Sequence, residues 1–97
     1  MFYRNSQGNI INLDNVREIV KHPDITIRER NSGNKRMVSE LAYYVEDETY
    51  MTLERFEDRK SLDEFADWLW GQIHDEFSTC SFDEFTKKTV KYAPLKR

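Results

Sequence analysis

Between residues 62 and 77, apolar side chains recur at Leu62, Phe65, Ala66, Leu69, Ile73 and Phe77. At ~100° per residue all six fall within one arc of a helix. A stripe this long has to be buried against a complementary layer, and the first half of the chain supplies one. Residues 10–13 form an apolar run after the turn-forming segment 5–9, and residues 25–30 place Ile25 and Ile27 on one face. Asn31-Ser32-Gly33-Asn34 tolerates positive φ and closes a hairpin onto residues 37–45, where Met37, Leu41, Tyr43 and Val45 share a parity and Ser39 breaks it. Residues 50–57 give a further strand, with Met51 and Leu53 inward and Thr52 and Glu54 outward. Residues 16–20 fit either a strand, by β-branching, or a helix capped at Asp14; Pro23 ends the element in both cases.

The helix has its own start signal. Ser61-Leu62-Asp63-Glu64 has the form of a capping box, and Ser81-Phe82-Asp83-Glu84 repeats it twenty residues later. Phe82, Phe85, Thr89 and Tyr92 continue from the second box at helical spacing and stop before Pro94, although residues 89–92 also alternate as a strand would. The expected fold is therefore α+β: an antiparallel β-meander of four to six strands packed by a C-terminal amphipathic helix over 62–77, with a shorter second helix over 82–92. With 97 residues there is room for one hydrophobic core, so a single domain over 1–97 is expected.

Charge is segregated along the chain. Residues 1–45 sum to +2, residues 46–85 to -10 and residues 86–97 to +5, within a formal net charge of -3. The basic end either folds back over the acidic segment or stays a solvated face. A composition of 38% hydrophobic and 34% charged residues excludes a disordered or a membrane-embedded chain. No apolar run reaches the ~18 residues of a membrane helix. No signal-peptide pattern follows Met1, and Cys80 has no second cysteine to pair with. A cytoplasmic location is the default expectation.

Chemistry-bearing residues are few. His22, His74 and Cys80 are the only side chains besides the carboxylates suited to nucleophilic, base or soft-ligand roles near neutral pH. A His74/Cys80 dyad fits by sequence distance, but Asp75, Glu76, Asp83 and Glu84 around it disfavour a thiolate. No zinc spacing, Walker loop or dinucleotide loop occurs, and solvated pairs such as Asp63/Asp67 are no sign of acid–base work without a cleft. No catalytic residue, metal or cofactor is assigned.

The aromatic residues, 13% of the chain, carry more information. Trp68 lies about 130° from the centre of the apolar stripe, between Glu64 and Asp75, while Trp70 sits nearer the stripe edge and should be half-buried. An indole among acids either anchors a partner or packs under the basic tail. The candidate partner-binding set is Trp68, Glu64, Asp67 and Asp75, facing a protein partner or a second copy of the chain. Nucleic acid is not expected, because a stacking surface needs several aromatics on one open face and a net negative chain repels the duplex.

The string Asn9-Ile10-Ile11-Asn12-Leu13-Asp14-Asn15-Val16, with Ile19 and then Ile25-Thr26-Ile27, resembles the opening of small bacterial and phage proteins built as a β-meander closed by an amphipathic helix. Some of these are similar to pleckstrin-homology-like domains. The resemblance covers residues 9–77 and implies fold more than activity; no functional residue carries over from it. The functional expectation is a non-catalytic interaction module of a bacterium or phage. One alternative is a phage-type inhibitor whose acidic face competes for a nucleic-acid-binding host factor. A second is a small Cys/His enzyme.

Overall fold

A computed structural model of the chain describes residues 1–46 and 49–87. These residues form six strands and two helices, an α+β fold: β1 (Phe2–Arg4), β2 (Ile10–Asn12), β3 (Glu18–Arg28), β4 (Lys35–Tyr44), β5 (Tyr50–Phe56), α1 (Arg59–His74), β6 (Thr79–Ser81) and α2 (Phe82–Lys87). The strands form two three-stranded sheets, ordered β2-β1-β6 and β3-β4-β5, where a single meander was expected. The chain divides into two compact units, one of residues 16–67 and the other of residues 1–15 with 68–97.

The unit of residues 16–67 holds the meander. All its strand pairs are antiparallel, and β4 is central, so residues 38–43 are buried without a break. The strand signals at residues 25–30, 37–45 and 50–57 are found, and residues 18–20 are strand. Pro23, however, does not end β3. The strand runs through it by a register shift between His22 and Ile25, with Asp24 at φ 57°. This is possible because β3 lies at a sheet edge, where the missing proline N–H leaves no ladder bond unmade. Ser39, the residue that broke the apolar parity of β4, serves this irregularity: its Oγ accepts from the Asp24 amide at 3.1 Å.

Two other parities fail for physical reasons. A second shift, between Leu41 and Ala42, puts Glu54 opposite Leu41 and buries Glu54 together with Leu53. Met37, Val45 and Met51 lie near strand ends and are exposed. The first half of α1 packs on this sheet, with the Phe65 ring centroid 5.4 Å from that of Phe56 and both Leu62 and Phe65 fully buried. Burial of each such side chain stabilises by about 1.5–3 kcal/mol. The Lys21–Asp63 contact at 3.0 Å is half-exposed and adds at most ~1 kcal/mol.

The helix starts at Arg59, ahead of the expected box. Asp58 is the cap, its Oδ1 accepting from the Ser61 amide at 2.7 Å, and Ser61 is consequently inside the first turn. That hydrogen bond holds the Asp58 carboxyl below the usual carboxylate range. The second Ser-x-Asp-Glu string does form the reciprocal box. The Glu84 carboxylate accepts from the Ser81 amide at 3.1 Å and the Ser81 hydroxyl accepts from the Glu84 amide at 3.3 Å, opening α2. The expected extension of α2 to residue 92, the strand alternative at 89–92 and the basic tail beyond Lys87 all lie outside the described residues.

In the other unit, the segment 5–9 closes the β1–β2 hairpin. Asn5 Oδ1 accepts from the amides of Gln7 and Asn9, and Gly8 takes φ 89°. β6 adds to β1 in parallel, with Tyr3 opposite both Ile11 and Cys80. α1 ends at His74, three residues short of Phe77. Glu76 turns into the left-handed region (φ 61°), donating its amide to the Ile73 carbonyl at 3.0 Å, and the Phe77 amide reaches the Gln72 carbonyl at 3.3 Å. These two bonds are the Schellman pattern, which glycine normally occupies. Glu76→Gly should therefore raise stability by about 1 kcal/mol, since it relieves Cβ strain and removes an anion from the negative helix end. Urea unfolding measures this, and a loss of stability would show that the Glu76 side chain makes a compensating contact.

Candidate functional site

Every residue of the expected partner-binding set belongs to α1 or the turn after it, so the phase of this helix decides what solvent meets. In its second half the buried residues are Leu69 and Gln72, the latter only 3% exposed despite its amide. Measured from the midpoint of this pair at ~100° per residue, Trp68 is about 70° away and Trp70 about 130° away. The two indoles therefore exchange the roles expected of them. Trp68 is half-buried, its ring 5.5 Å from that of Phe85, which in turn lies 5.8 Å from Phe82. Trp70 is 66% exposed, the largest such value among the exposed apolar side chains, and the His74 ring at 6.4 Å is beside it.

The reason is a tertiary partner that helical periodicity does not contain: α2 brings Phe85 against Trp68. Of the carboxylates, Asp75 is exposed and places Oδ1 3.4 Å from His74 Nδ1. Glu64 and Asp67 are exposed on the first half of α1, in the other unit. Gln72 Oε1 is buried with no hydrogen-bond partner among the described residues.

The dyad residues are held apart in character. His74 is largely solvent-exposed and engages Asp75 and Trp70, whereas Cys80 is 4% exposed on β6, with Met1 Sδ 3.9 Å from its Sγ. No His74–Cys80 hydrogen bond is present among the described residues. His22 packs edge-on against Tyr50 at 4.7 Å on the other sheet. Among the described residues no group of three or more His, Cys, Asp or Glu is placed to hold a metal ion. No described helix is long and apolar enough to cross a membrane.

Within the unit that holds the second half of α1, the exposed Trp70 ring lies beside His74, which in turn contacts the exposed Asp75 carboxylate. In comparisons with family models, curated proteins and solved structures, nothing matches this chain.

Proposed function

We propose that this chain is a non-catalytic protein-interaction module of a bacterial or phage cytoplasm, engaging a protein partner or a second copy of itself through the exposed side of α1. The observation that carries this reading is Trp70. A large amphipathic ring left two-thirds exposed on a regular helix is the residue type that anchors interfaces, because it covers much area at little entropic cost. Asp75 at the end of the same helical segment gives the anchor an acidic rim, which fits a partner surface with an apolar pocket edged by basic side chains. Trp68, half-buried against Phe85, supports the helix from its inner side, and its smaller exposure favours Trp70 as the anchor in this reading.

Trp70→Ala is expected to change stability by less than about 0.5 kcal/mol, as an exposed substitution does, while abolishing the interaction. Sedimentation of the purified chain at rising concentration, run beside affinity capture from a bacterial lysate, tests both forms of the partner. A dimer or a captured protein that depends on Trp70, with an unchanged melting temperature, supports the reading. Concentration-independent monomer together with no Trp70-dependent capture sinks it.

A second reading rests on the exposed carboxylates of Glu64 and Asp67. An acidic helix surface competes with phosphate backbones for a basic host protein, as a phage-type inhibitor would. Its signature is salt dependence: binding that falls steeply between low and physiological ionic strength and is displaced by DNA favours competition, while salt-insensitive binding favours the indole anchor. The Cys80/His74 enzyme reading has the weakest support, and its test is thiol modification against pH. Rapid labelling below pH 7 would revive it.

A further inference from the structure

We propose that the cleft at the closed end of the β3–β4 hairpin binds a phosphate-class oxyanion, independently of the α1 surface. Residues 25–36 carry four Lys/Arg against one Glu in a chain of net charge -3. The hairpin gathers Arg28, Arg30 and Arg36 with Arg55 of β5 and Asn31 around one cleft, whose sole lining carboxylate among the described residues is Glu29.

Three of these guanidinium groups are pre-positioned, each by bonds that leave other donors available. Arg28 gives one Nη1 bond to the Gly33 carbonyl at 2.7 Å, and Arg55 gives Nε to the buried Glu40 carboxylate at 2.6 Å. Arg36 Nη1 donates to Glu57 at 2.6 Å. Its Nε is buried and makes no hydrogen bond, although Glu29 Oε2 is 3.0 Å away as an ion contact. A guanidinium has five N–H donors, and among the described residues Arg28, Arg36 and Arg55 each commit one of them to a hydrogen bond.

The loop beneath them is itself fixed. The Glu29 amide reaches the Asn34 carbonyl at 2.7 Å, Gly33 sits at φ 72°, and the Ser32 hydroxyl donates to Glu29 at 3.1 Å. Glu29 is thereby engaged by Ser32 and Arg36, while Glu40 and Glu57 balance Arg55 and Arg36. Among the described residues, the lining arginines left without a carboxylate are Arg28 and Arg30, and Lys35, outside the lining, is paired in register with Arg28 across the hairpin. An open cleft lined by four arginines offers forked donors in number, which suits the three oxygens of a phosphate group better than the two of a carboxylate. The group can be inorganic phosphate or the phosphomonoester of a small metabolite; the cleft recognises what the two share.

The test is an amide NMR titration of the whole chain at constant ionic strength, with inorganic phosphate in one arm and a nucleoside 5′-monophosphate in the other. The expected result is saturable shifts confined to residues 27–36 and 55. Arg30→Gln should weaken binding about tenfold without changing the melting temperature, because Arg30 makes no intrachain bond among the described residues. Equal affinity in the two arms assigns inorganic anion as the ligand, and tighter nucleotide binding assigns a phosphomonoester. Non-saturating shifts, shifts reproduced by added chloride, or unchanged binding by the Arg30→Gln variant overturn the proposal. So does saturation by a single-stranded oligonucleotide alone, which would make the cleft part of a nucleic-acid surface.

Discussion

Phe65→Ala is expected to lower the free energy of unfolding by about 3–5 kcal/mol, the cost of deleting a fully buried ring and leaving a cavity in its place. Phe65 has no solvent exposure and its ring lies 5.4 Å from Phe56 on the sheet below. Leu62, one turn earlier, is equally buried, so the neighbours are already packed and have little room to collapse into the vacated volume. Small domains have in all about 5–15 kcal/mol of stability, and this single change removes a large share of it. Urea unfolding followed by circular dichroism gives the number. A loss below 1 kcal/mol would mean that the first half of α1 does not rest on β3-β4-β5.

The second large effect separates the two tryptophans. Trp68→Ala should cost about 2–3 kcal/mol, less than a fully buried aromatic, because Trp68 is half-buried, with its ring against Phe85. Trp70→Ala, two residues away, should cost almost nothing. Fluorescence gives an independent check through single-tryptophan variants. The chain retaining only Trp70 should emit at long wavelength and be quenched readily by acrylamide, and the chain retaining only Trp68 should emit further to the blue and resist quenching. The reverse pattern would restore Trp68 as the solvent-facing indole and move the proposed anchor to it.

This exchange shows where the sequence is legible and where it is not. The α1 stripe could be read because Leu62, Phe65 and Leu69 are apolar and regularly spaced, and all three are buried. Its phase was misjudged by the inclusion of Phe77, which lies past the Schellman turn, and the omission of Gln72, whose amide gives no hydrophobic signal. The β3–β4 hairpin was announced by Asn-Ser-Gly-Asn, and the box at Ser81 by its spacing. The same spacing at Ser61 misled, because Asp58 competes for the cap three residues upstream.

β1 and β6, at three residues each, are too short to show a period, and the pairing that joins them links segments far apart in sequence. The arginine cleft was also missed. Its members come from positions 28–36 and from position 55, so no run of sequence contains it, and whole-chain acidity hides it. Turn chemistry and helix spacing are local properties and survive in a single sequence. Edge position, which let Pro23 sit inside β3, is a property of the assembled sheet.

The pairing of β1 with β6 sets an order on how the chain can be completed during synthesis. Strand partners Tyr3 and Cys80 lie on either side of the meander in sequence, whereas the β3-β4-β5 meander joins only neighbours. A ribosome would release the meander with all its strands before the second partner of β1 had left the exit tunnel. The opening strand must therefore wait, one edge unsatisfied, until residues 79–81 emerge.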